Sequence, residues 1–192
     1  MNLVVGILGS PRRGGNCDVL LDECLDGAFQ SGAKTQKISL CDLHITPCQG
    51  CNSCLETGEC VLRDDMTLIY KILQEANAIL IASPIYFSGP SCIVKCMMDR
   101  CQCLWARERL LNRKVEGVRY GGLILVGGDH KAVFRNAQSE IRAFFSGIGI
   151  TFQGELLVAG VEKKGEVRSR PDYLLSARRL GQNMTFNLSR IG

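Results

Sequence analysis

Leu3-Val4-Val5-Gly6-Ile7-Leu8-Gly9-Ser10-Pro11-Arg12-Arg13-Gly14-Gly15-Asn16 stands at the start of this chain. Residues 3–8 form a short apolar run rich in β-branched side chains and bounded by Gly9, the pattern of a strand buried on both faces. Residues 18–30 follow as an amphipathic helix, with Leu20, Leu21, Cys24, Leu25 and Phe29 at helical spacing and Gly32 as its stop. The unit then recurs. Residues 34–40, 78–82, 121–126 and 151–158 read as further strands, and residues 66–75, 91 to about 105, 133–147 and 172–189 read as helices. Strand alternating with helix predicts an α/β fold, a parallel sheet covered on both faces. Such sheets bind ligands beyond the carboxyl ends of their strands. The unusual loops of this chain all follow strands, so they are expected to converge on one edge.

Composition narrows the classes. The chain has 192 residues, which suits one domain with a sizeable core, and 46% of them are hydrophobic, which argues against disorder. Net charge is +4, from 23 basic and 19 acidic residues spread along the chain. That balance makes no case for nucleic acid, and the pairs Lys163-Lys164 and Arg178-Arg179 read as solvated surface. Apolar runs are too short to span a bilayer. The first residues lack a basic leader and a small-residue cleavage site, so no signal peptide is expected. Eleven cysteines without an export signal point to a reducing cytoplasm and to metal binding in place of disulfides.

Four of those thiols stand in Cys48-Gln49-Gly50-Cys51-Asn52-Ser53-Cys54-Leu55-Glu56-Thr57-Gly58-Glu59-Cys60, within a loop of about residues 41–66. The spacing is C-x2-C-x2-C-x5-C. Two-residue gaps let a loop wrap one centre, and soft thiolates select iron–sulfur clusters, zinc or copper(I). Zinc motifs split their ligands into two separated pairs, whereas here three cysteines follow at equal gaps, which favours a cluster. The other cysteines, among them Cys92 and Cys96 at helical i, i+4 spacing, read as small core hydrophobes.

Two further loops carry chemistry. After the first strand, Ser10, Asn16 and free backbone N–H groups meet a helix N-terminus, an anion site that suits a phosphate, and Arg12 or Arg13 would add charge-assisted bonds. The loop is neither G-x-G-x-x-G nor a P-loop. The competing reading is a glycine turn with Asn16 as N-cap. After the third strand, Ser83-Pro84-Ile85-Tyr86-Phe87-Ser88-Gly89 offers backbone hydrogen bonds and an aromatic face to a planar heterocycle. The competing reading is that Tyr86 and Phe87 cap the core. His44 and His130 read as surface loop histidines.

Gly-Ser-Pro-Arg-x-x-Gly-Asn at 9–16 and Ser-Pro-Ile-Tyr-Phe at 83–87 resemble the flavodoxin-like NADPH-dependent FMN reductase superfamily. With Cys48, Cys51, Cys54 and Cys60 between them, the chain resembles its iron–sulfur flavoprotein family over nearly all of residues 1–192. Asp64-Asp65-Met66 and Lys95, Asp99 and Arg100 are similar to family features as well. The resemblance implies a single flavodoxin-like domain with a doubly wound five-stranded sheet in the order 2-1-3-4-5. It implies that Ser10, Arg12, Asn16 and Cys17 surround the FMN phosphate, and that Pro84, Ile85, Tyr86, Phe87, Ser88 and Gly89 border the isoalloxazine ring. Gly127 and Gly128 would meet the ring's far edge, and the four cysteines would hold a [4Fe–4S] cluster. Position 17 departs from the pattern: a thiol stands where relatives often have a hydroxyl, and a thiol is the poorer donor.

The leading expectation is therefore an FMN-dependent oxidoreductase, or an electron carrier, with a [4Fe–4S] cluster. A one-electron donor such as ferredoxin would supply electrons destined for a small acceptor. The resemblance also implies a homodimer or homotetramer, with Trp105 either at that contact or in the core. The alternatives are a cluster-free NAD(P)H-dependent FMN or quinone reductase, and a structural zinc knot in a binding module.

Overall fold

The computed structural model describes residues 2–189, so the ends of the expected 1–192 domain, Met1 and residues 190–192, lie outside the described residues. Five parallel strands form the sheet: β1 (Leu3–Leu8), β2 (Lys34–Ser39), β3 (Ala78–Tyr86), β5 (Tyr120–Gly127) and β6 (Thr151–Ala159), while the two-residue β4 (Gly89–Pro90) pairs antiparallel with the end of β3. The order is β2-β1-β3-β5-β6. Leaving β4 aside, that is the expected 2-1-3-4-5. Strand order reverses between β1 and β3, so the loops leaving those two neighbours open onto the crevice where such sheets bind ligands.

Alternation along the strands builds two cores. Val4 and Leu8 of β1 pack with α1 (Asn16–Gln30) and α7 (Pro171–Ser189) on one face. Val5 and Ile7 pack on the other face, with α3 (Met66–Glu75), α4 (Cys92–Arg100), α5 (Gln102–Arg109) and α6 (Arg135–Gly147). A short helix, α2 (Ser53–Thr57), lies within the cysteine loop.

Two expectations are corrected. The helix expected over residues 91–105 is two helices, broken at Cys101. The Arg100 carbonyl accepts the Tyr70 hydroxyl at 3.0 Å, while the Leu104 N–H bonds the Cys101 carbonyl at 2.9 Å in place of the Arg100 carbonyl. Side-chain capture of that carbonyl ends the ladder. The third strand also runs beyond residue 82. β5 stays in register with it as far as Pro84↔Val126, and its last two residues then pair with β4. Most of what reads as a loop is therefore ladder.

α1 and α7 touch backbone to backbone. A Cβ on Gly181 would stand 1.8 Å from the Cys24 carbonyl oxygen, and one on Gly27 would stand 2.2 Å from the Arg178 carbonyl oxygen. Overpacking a rigid contact costs about 1–3 kcal/mol. Gly181→Ala is expected to reach the upper end of that range, read as a lower urea midpoint with an unchanged slope. An unmoved midpoint would show that the helices part freely.

Candidate functional site

Two cavities hold most of the site residues singled out by sequence, and they share no lining residue. The first is a cleft of about 190 Å³ at the carboxyl ends of β1, β3 and β5. Ser10, Arg12, Asn16, Cys17, Pro84, Ile85, Tyr86 and Gly128 line it, joined by Val126, Val161, Glu162 and Lys164.

The β1–α1 loop presents an open helix end. Gly15 occupies the N-cap of α1, and no side chain caps it. Asn16 is not the N-cap: it is the first helical residue, and its side chain is spent elsewhere. Its amide nitrogen donates to the carbonyls of Val161 and Lys163 at 3.0 and 3.1 Å, and its oxygen accepts the Val167 N–H at 3.1 Å. The two arginines divide. Arg13 pairs with Asp42, whereas Arg12 lines the cleft and donates to the Glu162 carbonyl at 3.2 Å. Asp18, in the first turn, would repel an anion, but it accepts the Gly14 N–H at 2.6 Å and pairs with Lys37. Burial pushes its carboxyl up, and the Lys37 ammonium and Gly14 N–H outweigh that and hold it below the usual range. An uncapped 15-residue helix whose first-turn acid is already partnered fits a phosphate. Cys17 borders the cleft from a buried position, where desolvation pushes its thiol up to about 12. It stays neutral there, so the backbone N–H groups are left as the stronger donors.

Beyond β3 the chain turns on Phe87 and Ser88, both left-handed, with φ of 49° and 65°. This is the backbone of a two-residue type I′ hairpin joining Tyr86 to Gly89. Phe87 does not cap the core: its relative exposure is 107%, and Tyr86 is 48% exposed. The cavity reaches Tyr86 but not Phe87, Ser88 or Gly89, which form the tip above it. Gly127 lies outside the lining as well, and the space a side chain there would take is filled by Ala132. Holding a bulky residue left-handed costs about 1–2 kcal/mol, and Phe87 buries nothing in return. Phe87→Gly is therefore expected to raise stability by about 1 kcal/mol in urea unfolding. A loss of stability would mean that the ring packs in solution.

The second cavity, about 160 Å³, is lined by Cys48, Cys51, Cys54 and Cys60 with Gly50, Asn52, Leu55, Val61, Leu62, Arg100 and Gln102. Left-handed backbone at Gly50, Asn52 and Gly58 curls the loop. Cys54 and Cys60 are partly buried, and Cys48 and Cys51 are exposed. Burial raises the Cys54 thiol, and the neighbouring Cys60, Cys48 and Cys51 raise it further. Cys51 is lowered by hydrogen bonds from the Ser53 backbone and side chain, the kind of contact that tunes a metal-bound sulfur. Among the described residues no three His, Cys, Asp or Glu groups converge as one ion would require. A cluster spreads its thiolates over several irons. It needs a shared cavity with four sulfurs on the rim, and the loop supplies that.

One buried ion pair pins this loop. Arg100, 1% exposed, reaches the Asp64 carboxylate through both terminal nitrogens at 2.6 and 3.1 Å, and the Thr46 carbonyl at 2.6 Å. Asp64 also accepts the N–H groups of Thr46 at 2.9 Å and Met66 at 3.1 Å, so both ends of the loop meet at one carboxylate. Outside, Arg107 bonds the Gly58 carbonyl at 2.7 Å and Arg113 the Thr57 carbonyl at 3.0 Å. Trp105 lies outside this cavity, half-buried in an adjoining open groove with Lys95, Met98 and Phe144, and Gln102 lines both. Residues 161–164 escaped the sequence reading. The available signal was Lys163-Lys164 beside Gly165, which is indistinguishable from ordinary surface.

Known proteins bear on this arrangement. Residues 2–162 match the family described as NADPH-dependent FMN reductase. An iron–sulfur flavoprotein of Methanocaldococcus jannaschii is 38% identical over 142 residues, 74% of this chain and 70% of that protein. One from Archaeoglobus fulgidus is 33% identical over 178 residues, 85% of this chain and 89% of that protein. Among solved structures, an NAD(P)H:quinone oxidoreductase from Methanothermobacter marburgensis superposes with a TM-score of 0.73 at 17% identity, covering 95% of this chain and 98% of that one, a likeness of fold alone. With its cleft-lining loops and its rim of four cysteines, this chain belongs to the iron–sulfur flavoproteins, flavin-dependent oxidoreductases within the NADPH-dependent FMN reductase superfamily.

Proposed function

We propose that residues 1–192 act as a single domain that binds FMN and a [4Fe–4S] cluster, takes electrons from a one-electron donor such as ferredoxin, or from NAD(P)H, and delivers them to a small acceptor. The observation that carries this reading is that Cys48, Cys51, Cys54 and Cys60 line one cavity on a loop pinned at both ends, separate from an anion-ready cleft. When bound, the flavin exchanges electrons singly or in pairs and the cluster singly, which lets a one-electron source serve two-electron chemistry.

The chain's own residues bind, orient and tune. Ser10, Arg12 and the N-terminus of α1 hold the phosphate, and Asn16 holds the wall that closes over it. Pro84, Ile85 and Tyr86 border the ring, the Phe87-Ser88-Gly89 tip covers it, and Gly128 with Gly127 behind it marks the far edge. The four cysteines ligate the cluster, with Ser53 donating to Cys51. As the family resemblance implies, the reading includes a homodimer or homotetramer that brings a cysteine loop to a partner's flavin, with the Trp105 groove as the candidate contact. Eleven unpaired thiols suit a reducing cytoplasm, and among the described residues no helix is long and apolar enough to cross a membrane.

Protein purified without oxygen is expected to be brown, with broad sulfide-to-iron absorption over flavin bands and with bound iron and acid-labile sulfide. A yellow protein without iron would overturn the cluster and leave an NAD(P)H-dependent FMN or quinone reductase. A colourless, zinc-containing protein would overturn both cofactors.

A further inference from the structure

We propose that Lys164 makes this cleft select a phosphorylated flavin over the unphosphorylated one, held in place by the segment that Asn16 anchors; the inference rests on the FMN reading above. Residues 161–168 leave β6 and fold back across the β1–α1 loop. Asn16, which is buried, bonds this segment at Val161, Lys163 and Val167. Arg12 adds its bond to the Glu162 carbonyl. The Glu166 carboxylate accepts the N–H groups of Glu162 and Lys163 at 3.0 and 2.9 Å, which fixes the turn from within. Two left-handed glycines meet at the contact: a Cβ on Gly165 would stand 3.2 Å from the Gly14 carbonyl oxygen, and one on Gly14 would stand 3.7 Å from the Lys164 Cε. The Lys164 side chain therefore runs over the phosphate loop and lines the cleft with Ser10 and Arg12.

Charge supports the assignment. Lys164 has no carboxylate partner among the described residues. Arg12 and Lys164 face the cleft against the single carboxylate of Glu162, whose Cβ and Cγ lie against Gly128. The remaining positive charge sits beside an uncapped helix N-terminus, where a doubly charged phosphate gains most. A neutral ribityl hydroxyl gains little from it, so the lysine acts on the phosphate and not on the ring.

The test measures dissociation constants for FMN and riboflavin on the full chain, by equilibrium dialysis at fixed ionic strength. Lys164→Met is expected to weaken FMN about tenfold while riboflavin stays within about twofold, the scale of one charge-assisted hydrogen bond. Lys164→Arg is expected to restore FMN binding. Asn16→Ala, which frees the segment, is expected to weaken FMN likewise. An unchanged FMN-to-riboflavin ratio in Lys164→Met, with the wild type discriminating, would overturn the lysine assignment alone. Wild-type protein that takes up neither flavin would overturn the site reading beneath it.

Discussion

Cys54→Ala protein, purified without oxygen, is expected to lose the broad iron–sulfide absorption and to keep its flavin bands. Iron and acid-labile sulfide should fall below about a tenth of the wild-type content, because a four-thiolate cluster deprived of one ligand is not retained. Cys54 is the most informative of the four to remove. It sits on α2, partly packed on the core face that holds α3 to α6, and it feels the other three thiols. Cys48, Cys51 and Cys60 are themselves committed, Cys41 neighbours Cys92 and Arg13 instead, and Cys103 is buried, so no thiol is free to take its place. The flavin should survive because no residue of the cysteine cavity lines the cleft. Iron content and flavin stoichiometry, measured on the same sample, read both halves. Full iron in the variant would remove Cys54 from the ligand set. Loss of flavin together with iron would show that the two sites fold as one unit.

The second large effect concerns Asp64. Its carboxylate is the common partner of Arg100, Thr46 and Met66. Removing it leaves a buried guanidinium without a counter-charge, which costs about 3–5 kcal/mol, a large share of a typical stability of about 5–15 kcal/mol. Asp64→Ala is therefore expected to unfold at much lower urea, and its cysteine loop, no longer tied at residues 46 and 66, should retain less iron. The same group sets an acid limit. Burial alone would raise the Asp64 carboxyl, but the Arg100 guanidinium and the two backbone N–H groups outweigh it and hold it at about 2, against an ordinary 3.8. The folded state thus keeps the proton off more readily than the unfolded chain. Its contribution is complete above pH 4 and is lost as pH falls from about 4 toward 2. That difference amounts to about 2 kcal/mol. It is smaller than the cost of deletion because protonation keeps part of the hydrogen bonding, whereas alanine keeps none. Melting temperature against pH, wild type beside Asp64→Asn, checks this: the variant should start lower and lose the step between pH 4 and 2. An equal step in both would assign the acid limit to other carboxylates.

Phe87 stands apart from these stabilising devices. It is a bulky side chain, left-handed and fully exposed, at the tip above the cleft. A residue that costs stability and buries nothing is the pattern of a position kept for function. Sequence marked Phe87 as one of two aromatics in a loop. Only the hairpin, closed by pairing of Tyr86 with Gly89, placed it at a tip and not against the core.

By itself the sequence determined the strand–helix alternation of a parallel sheet, the strand ends from which the site grows, and the cysteine spacing, whereas the winding order was implied only by the family resemblance. Each of these is local: period-2 or unbroken apolar runs, period-3.6 helices and two-residue gaps can be read from neighbours in the chain. Residue types left Arg12 and Arg13 equal and only the resemblance favoured Arg12; tertiary structure supplied the reason, since Arg13 is drawn off by Asp42 and Arg12 is not. It also made Asn16, which the sequence offered as a phosphate-site residue or a helix cap, an anchor for a segment some 150 residues away, and it set Asp64 against Arg100 behind the cysteine loop. These contacts join residues with no periodic relation to one another. A polar side chain's role depends on which partner lies within hydrogen-bond reach once the chain is packed, and the partner's distance in sequence carries no trace of that.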